Sequence, residues 1–244
     1  MTTSTLSIYL KFGRRILIDN LSKDNMAKVK IPTDEEIKNL KNAVAERHPA
    51  LRDVWMTMDG LKGFLEQSPK TVIQNQFHNG WKHDHYVTNF LGFCPAGTIV
   101  VDAMNVPGCI HDSMVANWGE KYDKLEEVYD RTVGKCTVDS AFSKRRPPYL
   151  TKTSQKLPHG CEEIVINKEA TAMRQSAEWG MRAFQSSFPR IKDRIIFEEN
   201  GERRLILRLF VLLFIYRANM VGMNQIRNTY LSPLHDANAN DFLI

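Results

Sequence analysis

Short β-rich runs alternating with segments of helical periodicity predict an α/β fold, a mixed sheet flanked by helices, for this chain of 244 residues. Three observations carry that prediction. "DVWMTMD" and "HYVTNFLGFCPAGTIVVDAMNV" are rich in β-branched and aromatic residues, and "PAG" inside the second marks a tight antiparallel hairpin. "GKCTVDSAF" is another short apolar strand, ending in an acid. The third observation is a long stretch, "NKEATAMRQSAEWGMRAFQSSFPRIKDRI", in which Ala177, Met181, Phe184 and Phe188 form one buried stripe at helical spacing, with Glu178 beside it.

The remaining elements follow in chain order. "PTDEEIKNLKNAVAERHP" carries a helix signature: Thr33 caps, Glu36 sits in capping-box position, and Ile37, Leu40 and Val44 recur on one face before Pro49. Residues 1–50 are therefore read as a helical arm leading into a main domain at 51–244. After the hairpin, "PGCIHDSMVANWGEKYDKLEEVYD" switches to helical spacing with Met114, Val115 and Trp118 on one side. "SKRRPPYLTKTSQKLPHG" reads as a basic, proline-containing loop. "LILRLFVLLFIY" is strongly apolar but interrupted by Arg208 and shorter than the ~20 residues of a spanning helix, so a core helix is expected.

Bulk composition narrows the function classes. Hydrophobic content of 43% and charged content of 25% are those of an ordinary globular protein and exclude disorder as the main state. A net charge of +5 favours polyanionic partners. The N-terminus has no secretory pattern, which places the chain inside the cell. Cys94, Cys109, Cys136 and Cys161 are widely separated, which suggests neither a zinc knuckle nor a disulfide framework but four small, mostly buried side chains. Trp55, Trp81, Trp118 and Trp179 form no spaced series and read as core and edge packing.

Asp59 and Asp139 share a local setting: each ends an apolar strand and is followed by a small residue, Gly60 or Ser140. Strand ends are where an α/β sheet places its ligand chemistry. Two such acids and Glu178 on a flanking helix form a set of hard oxygen donors suited to magnesium or manganese, and two such ions serve phosphodiester chemistry. The alternative is three solvated acids among 28.

From about "RHPALRDVWMTMDGLKG" to "NQIRNTYL" the sequence resembles the DDE superfamily endonuclease domain of Harbinger-type transposases. The matching pieces are "MDGLK", "FHNGWKHDHYVTNFLGFCPAGTIVVD", "PGCIHDS", "VDSAF" and "RQSAEWGMRAFQSSFPRIK", in the family's order. The resemblance implies a ribonuclease H-like fold and an Asp-Asp-Glu triad, Asp59, Asp139 and Glu178, that uses two divalent cations, Mg or Mn, to cut and rejoin DNA. It also implies a nuclear location and DNA as partner. No helix-turn-helix is visible upstream, whereas such transposases have a separate DNA-recognition segment or a partner protein that supplies it, so a separate DNA-recognition protein is a candidate partner and a homodimer a candidate assembly.

Four further features have two readings each. Asp112 in "PGCIHDS" is either an auxiliary acid near the metals or the cap of the helix through "SMVANW". Lys144, Arg145 and Arg146, directly after the second acid, either contact DNA phosphates or lie in a solvated loop. His83 and His85 alternate, as a zinc pair on one strand face or as hydrogen-bonding residues at a strand start. Arg174, Arg182 and Arg190 recur every eight residues and read as slowly drifting or simply exposed helix charges. The leading expectation is a divalent-metal-dependent DNA endonuclease, a transposase catalytic domain. The alternative is a catalytically inactive, domesticated or decayed transposon-derived protein that binds DNA or other partners.

Overall fold

The computed structural model describes residues 3–67, 70–110, 112–115, 120–142, 147–153, 161–195 and 200–231. Helices α1 (Thr3–Leu21) and α2 (Asp34–Arg47) precede the first strand, β1 (Val54–Phe64). Next come α3 (Thr71–Phe77), β2 (His78–Asn79) and the hairpin of β3 (Asp84–Phe93) and β4 (Ile99–Pro107). Helices α4 (Asp112–Val115) and α5 (Lys121–Thr132) lead to strands β5 (Lys135–Val138) and β6 (Leu150–Lys152). Helices α6 (Cys161–Ser187), α7 (Asn200–Val221) and α8 (Gln225–Tyr230) complete the described chain.

The strands form one mixed, helix-flanked sheet in the order β4, β3, β1, β5, β6. Strand β3 runs antiparallel to both its neighbours, β4 and β1, whereas β5 runs parallel to β1, and β6 parallel to β5. The short β2 pairs with the start of β3. The hairpin turns where expected: Gly97 takes a left-handed φ of 74° and its N–H donates to the Cys94 carbonyl at 2.8 Å.

Side chains alternate along β1 and so divide two cores. Met56 and Met58 pack with Ile37 and Leu40 of α2 and Leu125 and Val128 of α5 on one face. Leu61 packs on the other with Leu91 and Phe93 of β3, Met173, Ala177 and Phe184 of α6, and Val211 and Phe214 of α7. Asp59 lies on this second face, one alternation before Leu61. Helix α6 seats closely on the sheet because Gly180 has no side chain: a Cβ there would lie 2.6 Å from the Phe93 ring. The capping box of α2 is formed, with Glu36 Oε2 accepting from the Thr33 N–H at 2.6 Å and Thr33 Oγ1 from the Glu36 N–H at 3.3 Å.

Helix α7 is tied to the sheet by a buried polar network. Arg203 Nε donates to Asn105 Oδ1 at 2.6 Å, and Asn105 accepts this while its own N–H donates to Asn89 Oδ1 at 2.8 Å. No helix among the described residues is long and apolar enough to cross a membrane. Ile18 of α1 packs against Leu209 and Leu212 of α7.

Several elements depart from the sequence expectation. Strand β1 does not end at Asp59 but continues to Phe64, because β3 offers partners through Tyr86. Gly60, read as a strand end, lies under the Phe90 ring, where a Cβ would be 3.3 Å from it. The basic loop contains β6, which finds its partner in β5, a pairing that no local pattern announces. Helix α6 begins at Cys161 and stops at Ser187, so Phe188 is packed only in part and lies outside the helix. In the helical run after the hairpin, Glu120 has a left-handed φ of 59° where α5 begins, and Met114 is exposed. Trp55 is fully buried, but Trp81 is 88% exposed, so it packs neither core nor edge; Trp118 lies outside the described residues. Cys94 and Cys136 are buried, whereas Cys109 is exposed.

Candidate active site

The parallel register of β1 and β5 pairs Thr57 with Thr137. Two residues further along each strand stand Asp59 and Asp139, just where β5 has ended at Val138 and β1 loses that neighbour. Both acids therefore occupy the opening at the carboxyl end of β5, with Asp59 in mid-strand. Their carboxylates are fixed alike: Asp59 Oδ1 accepts from the Gly60 N–H at 2.8 Å, and Asp139 Oδ1 from the Ser140 N–H at 2.6 Å. The Ser140 hydroxyl adds a longer contact of 3.3 Å to the same Asp139 oxygen.

Helix α6 crosses this opening and presents Arg174 to both acids. Arg174 Nη2 lies 3.6 Å from Asp59 Oδ2, and Nη1 lies 3.5 Å from Asp139 Oδ1. The Nε of the same guanidinium is buried and has no hydrogen-bond partner among the described residues. Glu178 is one helical turn further on, so it shares that face of α6 with Arg174. Its carboxylate is half exposed and pairs loosely with Arg182 at 3.9 Å.

Electrostatics connect the three acids. Burial pushes the Asp59 carboxyl above the usual aspartate range; the Gly60 amide and Arg174 pull it down, and the charges of Asp139 and Glu178 push it further up. Asp59 thus feels both other acids as like charges. Among the described residues, no three His, Cys, Asp or Glu side chains lie close enough together to hold a metal ion. The donor set is nonetheless of the right kind for a hard cation: oxygen only, negatively charged and partly desolvated. Arg174 meets part of that demand for positive charge.

The other candidates separate from this opening or fall beyond description. Lys144, Arg145 and Arg146 lie outside the described residues, as does the side chain of Asp112, whose backbone begins α4. His83 is not on a strand face: its φ of 51° puts it in the turn before β3. His85 instead faces His78 across the β2–β3 pair, with ring centroids 5.1 Å apart, and neighbouring Asp84 is held by Arg194 at 2.8 Å. The eight-residue arginine series does not act as one: Arg174 faces the acids, Arg182 pairs with Glu178, and Arg190 lies beyond α6 in a 3-10 turn. Sequence reasoning missed the role of Arg174. The available signal was its spacing of one turn from Glu178, which puts the two side chains on one face.

No curated protein and no solved structure matches the chain. The family model for the DDE superfamily endonuclease matches residues 58–213, a span that contains Asp59, Asp139 and Glu178 and covers well over half of the sequence. The chain belongs to the DDE superfamily endonuclease family.

Proposed function

We propose that this chain is the catalytic domain of a divalent-metal-dependent DNA endonuclease, a transposase of Harbinger type with a ribonuclease H-like fold. The observation that carries this reading is the β1–β5 register, which puts Asp59 and Asp139 beside each other while the Glu178 charge bears on Asp59. The strand order, three antiparallel strands followed by two parallel ones, supports the fold assignment. In this reading Asp59, Asp139 and Glu178 hold two divalent cations, Mg or Mn. Those ions would activate the attacking water or hydroxyl and stabilise the leaving oxygen.

The chain's own residues set the conditions. The Gly60 and Ser140 amides hold one oxygen of each aspartate, leaving Asp59 Oδ2 turned toward Arg174. Arg174 competes for the same carboxylates and must yield to a cation of higher charge. Lys144, Arg145 and Arg146 follow the second acid directly and are proposed to contact phosphates near the cut. Asp112 is proposed to cap α4. A nuclear location, a separate DNA-recognition protein and a homodimer belong to the same reading.

A second reading has its own observation. The guanidinium bridge between Asp59 and Asp139 suits a folded descendant that binds DNA and cuts nothing. Incubating the chain with supercoiled plasmid and Mg or Mn separates the two. Nicking that disappears in Asp139→Ala, with the fold retained by circular dichroism, supports the nuclease. Equal nicking by the variant refutes the site, and no nicking by either protein favours the inactive descendant.

A further inference from the structure

A second concentration of charge lies at the opposite edge of the sheet from β5. Strand β4 is an edge strand there, and a cavity of about 420 Å³ wraps around it. From one face of the sheet α5 contributes Lys121 and Lys124; from the other, α7 contributes Arg204 and Arg208; Lys28 closes the top from the segment after α1. A shallower groove continues outward between α1 and α7, where Lys11 and Arg15 join the same Arg204 and Arg208. Among the described residues, the carboxylates that line the path are Asp102 in the cavity and Glu202 in the groove.

These groups act on one another across separate elements. Lys121 Nζ lies 3.9 Å from Asp102 Oδ1, and Arg15 Nη2 lies 3.4 Å from Glu202 Oε1. Arg208 Nη2 donates to the Ser22 hydroxyl at 3.2 Å. Burial raises the Asp102 carboxyl above its ordinary range, against the pull of Lys121, Arg208 and Lys124, which all face it. Among the described residues that line the cavity and the groove, seven are Lys or Arg and two are carboxylates.

We infer that this path is a second nucleic-acid contact, a track for the phosphodiester backbone of duplex DNA, distinct from the acid cluster and built by α1, α5, α7 and the edge of β4. An extended series of cations from four chain segments suits a polyanion better than a compact ligand, and Lys and Arg on helix surfaces neutralise phosphates without reading bases. Asp59, Leu91 and Asp102 stand on one transverse row of the sheet, so Asp102 at the start of the track lies about 10 Å from Asp59 at the usual strand spacing. Its function is to hold DNA beside the site, whatever its sequence. The choice of DNA as the polyanion rests on the nuclease reading; the track itself does not require cleavage.

The test is binding of a fluorescent DNA duplex by the full chain in EDTA, so that no metal chemistry contributes, measured by anisotropy across a salt series. Lys124, Arg204 and Arg208 are exposed helix positions, and the variant is Lys124→Glu/Arg204→Glu/Arg208→Glu. The control reverses three exposed lysines elsewhere, Lys38→Glu/Lys168→Glu/Lys192→Glu, at the same cost in net charge. The expected result is a loss of at least tenfold in affinity for the first variant and a salt slope flatter by about 2–3, near 0.9 for each phosphate that is no longer neutralised. The control should lose less than threefold. Equal losses in the two variants, an unchanged slope in the first, or binding by inositol hexaphosphate but not by duplex would each overturn the track. Wild-type chain that binds DNA through these residues but never nicks it would keep the track and remove the nuclease reading. Thermal unfolding of both variants within a few degrees of wild type shows that the change is in binding and not in folding.

Discussion

Replacing Arg174 by Gln tests how the acid cluster is balanced. Its two contacts, 3.6 and 3.5 Å, each represent a gross attraction of about 1–5 kcal/mol between water-like and protein-like dielectric values. Asp139 is 38% exposed, so solvent screening pulls its share toward the lower figure. The buried, unpartnered Nε subtracts from the total, because its desolvation is not repaid by a hydrogen bond. A net loss of about 1–2 kcal/mol remains, equivalent to a fall in Tm of about 2–8 °C for a chain of this size. Added manganese should then stabilise the variant more than the wild type, since the cation no longer competes with a guanidinium for the same oxygens. Each tenfold gain in affinity adds about 1.4 kcal/mol at saturating metal, a further shift of about 3–6 °C. Differential scanning fluorimetry with and without manganese gives both numbers from one plate. An unchanged Tm together with equal manganese shifts in the two proteins would refute the idea that Arg174 is the resident counter-ion.

Two other substitutions probe the same region. Burial raises the Asp59 pKa above its ordinary 3.8, so the folded chain keeps that proton to higher pH than the unfolded chain. Stability is therefore fully present below about pH 4, falls as pH rises through the raised value, and stays reduced above it. Asp59→Asn should raise Tm relative to wild type at pH 7 in metal-free buffer and lose that advantage near pH 4, and a variant less stable at pH 7 would contradict the assignment. Gly180→Ala places a methyl 2.6 Å from the Phe93 ring and forces α6 off the sheet. It should cost about 1–3 kcal/mol by urea unfolding. Plasmid nicking should fall further than that loss explains, because Glu178 rides on the displaced helix; full activity in a destabilised variant would show that the seat of α6 does not position the acid.

What could be read from the sequence divides by the range of the interactions that decide it. The α2 capping box needs only Thr33, Glu36 and the apolar spacing between them, and the hairpin needs only "PAG" between two β-rich runs; both signals lie within a few residues, and both elements form. Strand β6 is decided by its partner β5, and the continuation of β1 past Gly60 by its pairing with β3, so local breakers misled there. Arg174 belongs between these cases. Its alignment with Glu178 was present in the spacing, but its contact with two aspartates from separate strands depends on how α6 crosses the sheet. The basic track could not be seen at all in one dimension, because Lys28, Lys121, Lys124, Arg204 and Arg208 come from three distant segments, and only the fold gathers them around β4. The net charge of +5 pointed to a polyanion without locating it. A metal-dependent nuclease of the proposed kind would need negative groups concentrated enough to hold cations, and positive groups far enough away not to satisfy them first. The sheet supplies such a separation by placing Asp59 and Asp139 at the end of β5 and a cluster of cations at the β4 edge, with the buried Leu91 between Asp59 and Asp102. Arg174 is the exception, since it stands inside the acidic opening and offers both aspartates a cation of the chain's own.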